Sequence, residues 1–378
     1  MQAISISTAF DSGAVDIVNI DDHHDLQFNI RADNASEFAQ WFHFRLQGVS
    51  GLPVTMRFLN AGKTAYPEGW DGYQAVASYD RNHWFRVPTS YDGKQMTVKF
   101  TPVSQSVYLA YFEPYSWERH LDLLGFAAAH EGVELEHLGK TLDGRDMDLL
   151  IIGQPAEGKK KVWLIARQHP GETMAEWFVE GFLERLLDAE DPVGRTLLSK
   201  CVFYVVPNMN PDGSVRGNLR TNAAGANLNR EWATPSLEKS PEVYLVRQKM
   251  LETGIDLFLD AHGDEALPYN FVAGCEGNPG YSKRQQELEN AFKSAWQLSS
   301  PDFQTEFGYP PDKAGEANMT IATNWVGQQF DCLAYTIEMP FKDNANLPDE
   351  EQGWSGSRSM KLGAGVLQPI LAVIDKVR

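Results

Sequence analysis

Up to residue 116 the chain alternates apolar and polar positions in short runs. Within 39–47, Phe42, Phe44 and Leu46 share one side and Trp41 takes the other, and 53–59 and 96–100 alternate likewise. Extended backbone sends successive side chains to opposite faces, so these runs predict half-buried strands. Asn60-Ala61-Gly62, Asp71-Gly72 and Asp92-Gly93 stand between them as turns. No helical period appears in this stretch. Short strands at this spacing predict a small antiparallel β-sandwich over residues 1–115.

The pattern changes after Pro114. Ser116 followed by Glu118 and an apolar-periodic run predicts a helix start. Beyond it, strands and helices take turns. Buried strands are predicted at 161–166, 201–206, 255–260 and 333–337, each an apolar run. Helices are predicted at 172–187, 241–251 and 359–377, the last with a kink at Pro369. The first of these carries Met174, Trp177, Phe178, Phe182, Leu183, Leu186 and Leu187 as one stripe. Alternation of this kind predicts an α/β domain over 116–378, a mixed central sheet flanked by helices.

Composition narrows the function classes. Of 378 residues, 33 are basic and 51 acidic, giving a formal charge of −18. A surface of that sign repels polyanions, so nucleic acid is not an expected partner. No apolar run approaches the length of a membrane span. The N-terminus lacks the basic and apolar regions of a signal peptide. Cys201, Cys275 and Cys332 are scattered without CxxC spacing and read as buried thiols in a reducing compartment. A cytoplasmic protein is expected.

Chemistry-bearing residues gather at predicted strand ends, where α/β proteins place their ligand sites. His169-Pro-Gly-Glu172 follows one strand and runs into a helix; His262-Gly-Asp-Glu265 ends another. Imidazoles and a carboxylate are zinc ligands, with a fourth position open to water. His169 and His262 could share one lip of the sheet, and either Glu172 or Glu265 could supply the carboxylate. Between them lie 206–213 and 220–230, rich in Asn, Gly and Arg, readable as a surface loop or as an anion-binding loop. Glu338 ends an apolar strand, either as a general base beside a metal or as a buried acid paired with an arginine.

Taken in order, the HPGET, NPDG, Arg220, NLNR, His262 and TIEMP elements resemble the funnelin-type zinc metallocarboxypeptidases. The Pro114–His120 junction and the context of Glu338 are most similar to the cytosolic carboxypeptidases, which place a β-sandwich ahead of the peptidase domain. The resemblance implies one zinc ion held by His169, Glu172 and His262, with Glu338 as general base. It implies that Arg220 stabilises the oxyanion and that Asn229 and Arg230 hold the terminal carboxylate of a peptide or protein tail. It also implies a closing tyrosine upstream of Glu338, for which Tyr309 is the nearest match, at a longer spacing than the family uses. No Lys or Arg falls between Lys313 and Glu338, so glutamate specificity is not expected. Two other classes would use the same residues: a zinc deacylase of small N-acyl amino acids, and a peptide-binding module without catalysis.

Overall fold

The computed structural model describes residues 3–378. The first part consists of two five-stranded sheets. His43–Gln47 sits inside one sheet between Ser5–Ser7 and Ser106–Ala110; Val54–Phe58 sits inside the other between Leu26–Asn29 and Met96–Phe100. All pairs are antiparallel except Leu26–Asn29 with Val54–Phe58, which is parallel. The alternating residues of the sequence meet between the sheets. Phe28 packs on Phe44 with ring centroids 5.1 Å apart, and Phe42 on Phe58 at 4.6 Å. Among the described residues before 116 the helical turns are two short 3-10 turns, Ala61–Lys63 and Pro67–Trp70.

The first α-helix, Trp117–Ala128, opens where expected, with the Ser116 hydroxyl accepting from the Arg119 N–H. The seven-stranded sheet that follows is mixed, in the order Val133–Lys140, Asp146–Ile152, Cys201–Val206, Lys160–Ala166, Leu257–Asp264, Leu333–Pro340, Phe271–Ala273. Its four central strands are parallel to one another and buried along nearly their whole length, which explains their unbroken apolar runs. Helix Met174–Leu186 covers one face with Phe178, Phe182 and Leu183, all fully buried. Truncating Phe178 or Phe182 to alanine would cost about 3–5 kcal/mol.

Two elements depart from the sequence expectation. The predicted C-terminal helix is two helices, Gly356–Gly365 and Leu367–Val373. Pro369 has no N–H to offer and its ring crowds the carbonyl four residues back, which places the break at the end of the first helix. The stretch at 206–213 is more regular than a surface loop: Pro211–Arg216 forms a short helix capped by Asn210, whose side chain accepts from the Gly213 N–H.

Candidate metal centre and active site

The parallel strands Lys160–Ala166, Leu257–Asp264 and Leu333–Pro340 deliver the site residues to one lip. Ala166 pairs with Ala261, and His262 stands directly beside Glu338 in the ladder. Met174 on the covering helix packs against the bare backbone of Gly263, next to His262, where a Cβ would lie 2.4 Å from its Sδ. His169 and Glu172 arrive on the turn after the first of these strands.

That turn is held by a buried polar network. Arg167 is 1% exposed and adopts a left-handed backbone, φ 58°, which a non-glycine residue keeps only when its surroundings enforce it. Its guanidinium donates to the carbonyls of Pro170 and Tyr115, each at 2.9 Å, and to Glu176 Oε2 at 2.8 Å. Glu176 in turn meets His120 Nδ1 at 2.6 Å and accepts from Asn208 at 3.1 Å. Burial opposes a charged His120, but Glu176 and Asp148 outweigh it and raise its pKa to about 9.

His169, Glu172 and His262 are all buried, and their ligand atoms lie within 4.8 Å of one another. Glu172 Oε1 is 2.7 Å from His169 Nδ1, Oε2 is 2.8 Å from His262 Nδ1, and the two Nδ1 atoms are 3.3 Å apart. The far nitrogens are also engaged: His169 Nε2 faces Asn227 Oδ1 at 3.0 Å, and His262 Nε2 faces Asp260 Oδ2 at 3.0 Å. Oxygen acceptors at both Nε2 atoms favour protons there when a cation is bound, which would turn both Nδ1 lone pairs inward beside the carboxylate. Three acceptors converging in a buried space call for a cation, and two imidazoles with a carboxylate are a donor set that suits zinc.

The charges respond to this crowding. Burial and the nearby positive Arg220 pull His169 down to about 4. Burial would raise Glu172, yet His169 and His262 hold it below the ordinary carboxyl range. Burial pushes Glu338 well above that range, opposed by His262 and reinforced by Glu172. Glu338 Oε2 is buried with no hydrogen-bond partner, an orphaned acceptor within reach of the triad.

The triad and Glu338 open onto a cleft of about 480 Å³ that also includes Arg220, Asn229 and Arg230. His169, Glu172, His262, Glu338, Arg220, Asn229 and Arg230 therefore meet in one place. The Arg220 guanidinium makes no hydrogen bond to the protein among the described residues, while the Asn229 side-chain oxygen accepts from the Ala322 N–H at 2.9 Å and leaves its amide nitrogen for a ligand. Glu265, the rival acid, lines the cleft but lies outside the triad, with its Oε1 unpartnered. Tyr309, at its long spacing, is in the cleft: its hydroxyl donates to Asp264 and lies 3.4 Å from Glu338 Oε1.

Sequence reasoning missed Asn227, Asp260 and Gln168, whose amide nitrogen donates to Asp260 at 2.6 Å. Asp260 carried a signal: an acid inside a buried strand, two residues before His262 and so on its face. Missed as well was the share of the N-terminal region in the cleft, through Tyr66 and Glu68 at the 3-10 turn Pro67–Trp70.

Comparison with known proteins places the chain in a family. The zinc carboxypeptidase family profile matches residues 123–353, and that of the cytosolic carboxypeptidase N-terminal domain matches residues 6–112. A metallo-carboxypeptidase from Burkholderia cenocepacia is 54% identical with a TM-score of 0.97, covering 98% of this chain and 99% of its own. One from Pseudomonas aeruginosa, solved in complex with (2-guanidinoethylmercapto)succinic acid, is 48% identical with a TM-score of 0.96, covering 99% of this chain and 100% of its own. An uncharacterized protein of Zymomonas mobilis is 47% identical over 374 residues, 99% of this chain and 97% of its own length. The chain belongs to the zinc carboxypeptidase family and carries the N-terminal domain of the cytosolic carboxypeptidases.

Proposed function

We propose that the protein hydrolyses the last peptide bond of peptides or protein tails, using one zinc ion held by His169, Glu172 and His262. The observation that carries this reading is the pairing of His262 with Glu338 at the ends of adjacent parallel strands, with Glu338 Oε2 unpartnered. When bound, zinc supplies an acidified water and polarises the scissile carbonyl. Glu338 takes the proton of the attacking water and returns it to the leaving amine. Arg220, with free donors, stabilises the oxygen that gains charge. Asn229 and Arg230 hold the terminal carboxylate, which restricts cleavage to chain ends. The succinic acid derivative bound by the Pseudomonas relative supports a carboxylate-binding cleft of this kind.

The same reading takes residues 1–115 and 116–378 as two domains, a β-sandwich and a peptidase, supported by family matches on either side of the division. It also takes the protein as cytoplasmic, supported by the cytosolic type of its N-terminal domain and by three free, buried cysteines. Among the described residues no helix is long and apolar enough to cross a membrane.

The test is metal analysis together with activity on Glu338→Gln. A variant that keeps its zinc and loses turnover is expected. An active Glu338→Gln protein, or full activity in metal-free protein, would overturn the mechanism.

A further inference from the structure

The amides around Arg220 are held from the other domain, while Gly171 and Asn218 of its own domain hold the carbonyls of Leu219 and Thr221. Asp33, 5% exposed, belongs to the loop after the strand Leu26–Asn29. Its Oδ1 accepts the Leu219 N–H at 2.6 Å. Its Oδ2 accepts the N–H groups of Arg220 at 2.8 Å and Thr221 at 2.9 Å, and the Thr221 hydroxyl at 3.0 Å. Neighbouring contacts tighten the clasp: Asn218 donates to Asn34 Oδ1 at 2.7 Å, and Asn34 donates to the Ala223 carbonyl at 2.8 Å.

Three consecutive amides on one carboxylate fix the backbone of Leu219–Thr221 and with it the direction in which Arg220 leaves the chain. Such charge-assisted bonds are about twice as strong as neutral ones. The far end of Arg220 is set by aromatic walls, with its Cζ 5.5 Å from the ring centroids of both Phe38 and Tyr66. Phe38 and Tyr66 also belong to the sandwich. Among the described residues the guanidinium forms no hydrogen bond or salt bridge, so its donors are aimed by packing and not by an ion pair that substrate would have to break.

We infer that Asp33 is the positioning residue for Arg220, with Phe38 and Tyr66 as its supports, so that the N-terminal sandwich completes the peptidase site. The inference rests on the proposed oxyanion role of Arg220. It gives the first domain a task in turnover: a displaced guanidinium would still leave the triad, Glu338 and the carboxylate holders intact, but would lose the charge that meets the transition state.

The test uses the full chain and a peptide substrate, comparing Asp33→Asn, Arg220→Ala and the double variant. Asn presents an NH2 group to an amide that now meets an oxygen, while keeping size. Asp33→Asn is expected to lower kcat roughly 10- to 100-fold, the scale of a misplacement of about 1 Å, with KM changed by less than about twofold and zinc content unchanged. In the Arg220→Ala background the same change is expected to cost nothing further, because the group it positions is gone. An equal loss in both backgrounds, or wild-type kcat in Asp33→Asn beside a crippled Arg220→Ala, would overturn the inference and leave the proposed function standing. Full activity in Arg220→Ala would instead remove the oxyanion role on which it rests. Should Asp33→Asn fail to fold, Phe38→Leu provides the same comparison, with a smaller kcat loss that vanishes in the Arg220→Ala background if the inference holds and persists there if it does not.

Discussion

Asn227 Oδ1 lies 3.0 Å from His169 Nε2 and also accepts the Asn229 N–H at 3.1 Å. One oxygen thus orients a candidate metal ligand and caps the turn Leu228–Arg230 that presents the candidate carboxylate holders. Removing it should disturb both halves of the site. Asn227→Ala is expected to weaken zinc binding about 10- to 100-fold, the usual cost of losing a partner behind a metal-bound histidine, and to raise KM as well. Chelator competition and steady-state kinetics measure the two effects; a change in only one would separate them.

Metal removal should show in stability as well as activity. A ligand that binds only the folded state adds about 4 kcal/mol when present at a thousand times its dissociation constant. Dialysis against a chelator is therefore expected to abolish turnover and lower Tm, and zinc should restore both. Glu172→Gln should have the lower Tm from the outset and gain nothing from zinc.

His120 gives a pH dependence away from the metal. Its pKa is raised to about 9 by Glu176 and Asp148 against the pull of burial. A group with a raised folded-state pKa stabilises fully below its unfolded value, about 6.5, and the gain is lost as pH climbs through the folded value. The shift corresponds to on the order of 3 kcal/mol. The Tm difference between wild type and His120→Gln should be largest near pH 6 and shrink toward pH 9.5. A difference that stays constant would assign the effect of His120 to packing.

Charge in the cleft bears on specificity. Arg220 and Arg230 are its only lysine or arginine side chains among the described residues, whereas Glu68, Glu276 and Asp312 line its walls. With both arginines engaged by the scissile carbonyl and the terminal carboxylate, an acidic side chain finds no further cation. Peptides ending in glutamate are expected to turn over with lower kcat/KM than matched peptides ending in neutral residues, a comparison a C-terminal library makes directly.

The parts of this site that were legible in the sequence are those that strand ends display. His169, His262 and Glu338 each follow or end an apolar run, and a parallel sheet brings such ends together. The choice between Glu172 and Glu265 did not follow from spacing, since both lie three residues after a histidine; it depends on which carboxylate the turn swings under the imidazoles. Asp33 was beyond reach, because it meets Leu219 across 186 residues and its own surroundings look like any polar loop. Helix Lys283–Ser299 is not among the predicted helices, although its signal is in the sequence. Leu288, Phe292 and Trp296 recur every fourth residue behind a Ser282–Gln285 capping box.

The ladder that sets His262 beside Glu338 divides the site into a stiff wall and an adjustable one. Neighbouring strands are held about 4.8 Å apart by their amides, so this spacing does not depend on any rotamer and survives side-chain fluctuation. Glu338 and His262 behave as two teeth of one comb. Widening of the cleft to admit a tail or release a product falls to the exposed stretch 307–316, which carries Tyr309 and Asp312 and is held by no strand ladder. The chemistry is anchored in the sheet, and admission is left to the loop.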